Sequence, residues 1–140
     1  MGSGEMDSRE MVAEGWQSIA DSEELLEGGD GIRFELERPG RDVLPAFCVR
    51  FDGQARAYLN RCAHVPVELD WQPGKFFDDT GVYLICATHG AMYEADTGSC
   101  IAGPCRGQSL RSLLVTEMSH KIWVKMPSVI PTSPPPLEKN

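Results

Sequence analysis

The chain has 140 residues, 41% of them hydrophobic, five cysteines and a formal net charge of −8. That length allows one domain with a real core and not two. The acidic balance argues against nucleic acid as a partner, because binding it needs clustered Lys and Arg to displace counterions.

No apolar run approaches the length of a membrane helix, so no membrane association is expected. Nor does the polar, acidic start contain the apolar segment of a secretory signal. The cysteines are therefore expected in a reducing compartment, where metal ligation is favoured over disulfides, and the expected location is cytoplasmic. Much of the acidity lies before Arg38, from Glu5 and Asp7 to Glu35 and Glu37. Such a face either steers the molecule to a basic partner or simply keeps it soluble.

In chain order, residues 1–14 read as a flexible segment with a short helix at 6–14, and Ser22 to Leu26 as a further helical turn. Thereafter Gly, Pro and Asp punctuate short runs that read as strands: 16–20, 32–37, 46–51, 55–59, 82–86, 92–94, 109–116 and 121–125. Phe51-Asp52-Gly53-Gln54 predicts a tight hairpin, since Asp-Gly readily takes the positive φ angles of a type I′ turn. Asp79-Thr80-Gly81 and Asp96-Thr97-Gly98 are similar turn signals. The last two runs form a closing hairpin. Beyond Met126 the tail carries Pro127, Pro131, Pro134, Pro135 and Pro136, and is expected to be disordered. The implied organisation is an all-β domain over 15–126, flanked by segments 1–14 and 127–140.

Two short pairs carry the chemistry: Cys62-Ala63-His64 and Cys86-Ala87-Thr88-His89. Thiolate sulfur with imidazole nitrogen suits an iron–sulfur cluster or zinc. Zinc fingers usually space two cysteines by two to four residues and keep their histidines in a separate pair. Here each pair is mixed. Two matching Cys/His pairs fit a [2Fe–2S] cluster with two Cys on one iron and two His on the other; a structural zinc site is the alternative. Each pair follows a predicted strand, so a β scaffold would present two facing loop tips. The stretch between them, from Glu68 to Phe77, reads as a covering flap whose Trp71, Phe76 and Phe77 seal the core.

Asn60-Arg61-Cys62-Ala63-His64 through His89-Gly90-Ala91-Met92-Tyr93 resembles the two cluster-binding loops of Rieske-type [2Fe–2S] ferredoxins. The Asp96-Thr97-Gly98 turn and the Gly103-Pro104 segment fit the same family. The resemblance implies an antiparallel β sandwich with a small cluster-binding subdomain formed by two loops. It implies one [2Fe–2S] cluster held by Cys62, His64, Cys86 and His89, with Gly90, Tyr93 and Pro104 around it. It also implies an electron carrier without activity of its own, acting between a flavin reductase and a terminal oxygenase. The alternatives are a small Rieske-like subunit of a reductase complex and a redox sensor.

High-potential members carry two further cysteines, forming a disulfide between the loops; the corresponding residues here are Val67 and Thr88. They also place a serine where this chain has Ala91, while a tyrosine is kept as Tyr93. Rieske centres span about −150 to +300 mV, set partly by hydrogen bonds to sulfur, so one donor in place of two implies the low end. With two of three histidines on the cluster only His120 remains. A complete non-haem iron oxygenase, needing two histidines and a carboxylate, is excluded on this chain.

Three cysteines fall outside the pairs. Cys48, in an apolar run, reads as inert core. Cys100 and Cys105 flank Ile101-Ala102-Gly103-Pro104 and read as two reduced thiols, with a local disulfide as the alternative. Arg61 and Arg106 either flank the cluster tip and meet a partner's carboxylate or are simply solvated.

Overall fold

The computed structural model describes residues 7–37, 40, 43–63, 67–70, 72–87, 90–105 and 107–126. The chain opens with helix α1, Ser8–Ala13. Asp7 caps it by accepting from the Glu10 N–H at 2.9 Å, and Glu10 accepts from the Asp7 N–H at 3.0 Å. Helix α1 therefore lies where the short helix was expected, and it buries Met11. The proline-rich tail beyond Met126 lies outside the described residues.

Among the described residues nine short strands follow: β1 Gln17–Asp21, β2 Ile32–Leu36, β3 Leu44–Phe51, β4 Gln54–Leu59, β5 Tyr83–Ile85, β6 Met92–Glu94, β7 Cys100–Ala102, β8 Leu114–Met118 and β9 Lys121–Lys125. A 3-10 turn at Ser22–Glu24 separates β1 from β2. They form three antiparallel sheets of three strands, ordered β1-β9-β8, β2-β3-β4 and β5-β6-β7.

Strand β3 organises the interior, because successive side chains point to opposite faces. Ala46 and Cys48 join Leu36, Ala57, Ile122 and Val124 in a core shared with the β1-β9-β8 sheet. Phe47 and Val49 join Tyr58, Leu84 and Tyr93 in a second core shared with β5-β6-β7. Burial on both faces explains why 46–49 is an unbroken apolar run. The predicted sandwich with an appended small subdomain is the observed architecture.

The β3–β4 hairpin turns at Asp52 and Gly53, with φ of 56° and 77°, the signature expected of a type I′ turn. The closing hairpin turns at Ser119 and His120, also with positive φ. The two largest departures from the sequence reading lie in the second half of the chain. Strand β7 was not anticipated, and the strand expected over 109–116 begins only at Leu114 and runs to Met118. Residues 109–113 instead make isolated attachments, among them Leu110 N–H to Gly98 O and Leu113 N–H to Ala57 O, both 2.9 Å. No helix among the described residues is long and apolar enough to cross a membrane.

Candidate metal centre

Strand β4 ends at Leu59, and the chain enters the first loop through Asn60. Two residues later Cys62 turns inward, 3% exposed. Its N–H donates to Val67 O at 2.8 Å, closing a neck around residues 63–66. The second loop repeats this arrangement. Cys86 follows β5 directly, is fully buried, and its N–H donates to Ala91 O at 2.8 Å. Each cysteine thus sits at the neck of a loop closed by the same bond to the fifth residue on. His64 and His89 fall between the neck residues in sequence but lie outside the described residues, as do Thr88, Trp71 and Arg106.

The two necks are tied together. Ala87 N–H donates to Leu69 O at 3.0 Å, and Leu69 N–H donates to the Asn60 side chain at 2.9 Å. Asn60 Nδ2 in turn donates to Asp70 Oδ1 at 3.0 Å. Asp70 Oδ2 accepts from Gly74 N–H at 2.9 Å and stands 3.2 Å from Arg33 Nε, so the buried carboxylate is paired. Sequence reasoning gave Asn60 and Asp70 no role. The available signal was their polarity beside a ligand pair: Asn and Asp are retained in a core only when hydrogen-bonded.

Tyr93, on β6, reaches across to the first loop. Its Oη lies 3.2 Å from Cys62 Sγ and accepts from the Ala63 N–H at 2.9 Å. Burial, then the bond to Cys62, pushes the phenol well above its ordinary value, so it keeps its proton. A thiolate at Cys62 has no proton to give, which makes the phenol the donor. Gly90, exposed, has φ of +73°, a conformation other residues adopt only with strain. Gly103 (φ +97°) packs its backbone against the second loop, and a Cβ there would stand 3.0 Å from Ala91 Cα. Pro104 beside it is exposed.

Phe76 is fully buried and stacks on Phe47 at 4.0 Å between ring centroids. Phe77 packs 6.5 Å from Phe51, so both aromatics seal core as expected of the flap. Cys48 is buried, and burial pushes its thiol up to about 12, in keeping with an inert core residue. The reading of Cys100 and Cys105 as reduced thiols is corrected. They form a disulfide, with Cα atoms 5.8 Å apart. The unanticipated strand β7 and the turn after it bring the two together, and a spacing of five residues does not report that geometry. Arg61 is exposed.

The donor chemistry fits a thiolate-ligated iron site: two buried cysteines at matched necks, one with a phenol hydroxyl beside its sulfur. Among the described residues no three His, Cys, Asp or Glu side chains form a metal-binding group, and both histidines fall outside that set.

This architecture and these loops define a Rieske-type domain. A family model, Rieske [2Fe-2S] domain, matches residues 15–125, and the chain belongs to that family. No curated protein matches it. Among solved structures, the ferredoxin of carbazole 1,9a-dioxygenase from Nocardioides aromaticivorans IC177 is similar at 23% identity. The match covers 80% of this chain and 98% of that one, with a TM-score of 0.62. The ferredoxin of Sphingomonas yanoikuyae B1 aligns over 79% and 98% at 19% identity, with a TM-score of 0.58. The terminal oxygenase of carbazole 1,9a-dioxygenase from Novosphingobium sp. KA1 aligns over 84% of this chain but 31% of its own, at 20% identity and TM-score 0.66.

Proposed function

We propose that this chain is a small soluble Rieske-type ferredoxin that carries single electrons between larger redox proteins. The observation that carries the reading is the pair of matched necks, each placing a buried cysteine at the base of a loop that also contains a histidine in sequence. In this reading Cys62 and Cys86 hold one iron of a [2Fe–2S] cluster and His64 and His89 hold the other. The cluster supplies a site that gains and loses one electron.

The remaining work belongs to the chain's own residues. Tyr93 donates toward Cys62 sulfur and holds Ala63 in place. Asn60 and Asp70 fix the spacing of the first loop, and Leu69 accepts from the second. Exposed Gly90 and Pro104 leave a surface near the loop tips that a partner can approach. The partners in this reading are a flavin reductase as donor and a terminal oxygenase as acceptor, in the cytoplasm. Support comes from the similar structures, two of them ferredoxins and one a terminal oxygenase.

The test is iron and acid-labile sulfide analysis of the chain purified anaerobically, beside Cys62→Ser and Cys86→Ser. Two irons and two sulfides per chain are expected, falling sharply in both variants. Zinc in place of iron, or no metal after reconstitution, would overturn the assignment.

A further inference from the structure

Strand β7 carries Cys100 beside Tyr93, its registered partner on β6. Tyr93 is the residue whose hydroxyl meets Cys62 sulfur. The chain then turns through Gly103, whose backbone lies against Ala91, and returns to Cys105. Ala91 O accepts the bond from Cys86 N–H that closes the second neck. The disulfide therefore sits in the same core as Cys62, Cys86 and Tyr93, and it holds down the segment that presses on the second loop.

The base of this segment is already closed without the disulfide. Cys100 N–H donates to Gln108 O and Gln108 N–H donates to Cys105 O, both at 2.9 Å. Breaking the S–S bond would leave that base intact. What it would release is the turn 103–104, beyond the Met92–Ala102 pairing that keeps β7 on β6, and the hold of that turn on Ala91 is the close approach of Gly103. The two sulfurs also differ in access: Cys100 is 9% exposed and Cys105 fully buried, while Gly103, Pro104 and Gly107 around them are exposed.

We propose that Cys100–Cys105 is a reversible dithiol–disulfide exchange site whose oxidised form clamps the second ligand loop through Gly103 and Ala91. The co-reactant is a dithiol reductant. Its thiolate attacks Cys100 sulfur, the S–S bond breaks, and Cys105 leaves as a thiolate that takes up a proton. The reductant's second thiolate then displaces Cys100 and closes its own disulfide. Two electrons and two protons pass to the pair, which ends as two thiols. In the reduced form 103–104 lifts from Ala91 and the neck at Cys86 opens more often. The site itself stands on the disulfide and its contacts. Only its consequence for a cluster rests on the proposed function.

The experiment uses the full chain equilibrated in dithiothreitol or in oxidised glutathione, with alkylation mapped by mass spectrometry and backbone hydrogen exchange measured on the same samples. Cys100 and Cys105 should escape alkylation when oxidised, take two labels when reduced, and return on reoxidation. Amides of 86–91 and 103–105 should exchange about tenfold faster in the reduced form, while those of β3 hold steady. The double variant Cys100→Ser/Cys105→Ser should exchange at the reduced rate in both buffers. Should it fail to fold, the wild-type comparison decides the matter alone. Release of both thiols with unchanged exchange at 86–91 would reduce the disulfide to a local staple and overturn the clamp. Full labelling of both cysteines even after oxidation would remove the site altogether. Because the readout is backbone exchange, it holds with or without iron, and metal content measured alongside tests the carrier reading separately.

Discussion

Tyr93 is the residue on which the chemistry of the site most depends. Its hydroxyl serves two neighbours at once, Cys62 sulfur at 3.2 Å and the Ala63 N–H at 2.9 Å. A donor to a ligand sulfur stabilises the more negative, reduced state, so its loss lowers the potential. Tyr93→Phe should therefore shift the midpoint down by tens of millivolts in a potentiometric titration, and cost about 1 kcal/mol in denaturant unfolding. An unchanged midpoint would mean the hydroxyl serves Ala63 alone. Cys48 gives a second check at this scale. With its thiol pushed up to about 12 by burial, it should resist alkylation at pH 8 in the native chain and react at once in denaturant. At the level of residues, Cys62 and Cys86 stand out in the sequence because Cys/His pairing at short spacing is rare, and the structure adds that both are buried at loop necks. Asn60 and Asp70 do not, because a buried polar pair announces itself only once its partners are in place.

Among the elements, the join between the outer sheet and the central sheet depends on Arg50. From β3 it donates to Leu25 O and Ser22 O, and it grips Glu117 of β8 with two bonds of 3.0 and 2.8 Å. That grip holds the Glu117 carboxyl below its ordinary value of 4.5. A carboxyl lowered by folding adds stability that is present above about pH 4.5 and lost as pH falls through the lowered folded value. Glu117→Gln should cost about 1–2 kcal/mol at pH 7, and the gap to wild type should narrow in thermal unfolding at pH 3. A gap constant across that range would assign the effect to packing.

Element boundaries show what the sequence conveys. The Asp52-Gly53 hairpin was readable from two residues whose backbone preferences match the turn. Strand β3 starts at Leu44, earlier than expected, since Pro45 still offers its carbonyl to Asn60 N–H at 2.9 Å. Strand β7 was invisible: three residues with no alternation of their own, held by pairing with β6.

For the whole molecule, the sandwich was legible because many short strands demand two-sided burial, and one run, 46–49, is apolar on both faces. The division into two cores was not, because it follows from which sheet covers each face of β3. The disulfide was misread for a related reason: the compartment argument weighs cysteine usage across the chain, whereas pairing depends on a local turn. What unites the molecule is that Leu84, Tyr93 and Cys100 of the β5-β6-β7 sheet share one core with Cys62, Cys86 and Ala91 of the two necks, and Gly103 lies against Ala91 from outside.

In the proposed function these two cysteines, with His64 and His89, make a mixed-ligand two-iron site. The most direct measurement is the electron paramagnetic resonance spectrum of the anaerobically purified chain after reduction with dithionite. A one-electron signal with the low average g value of mixed His/Cys ligation is expected, lost in Cys86→Ser. A silent spectrum from a chain with a full complement of zinc, or the higher average g of an all-cysteine cluster, would contradict it.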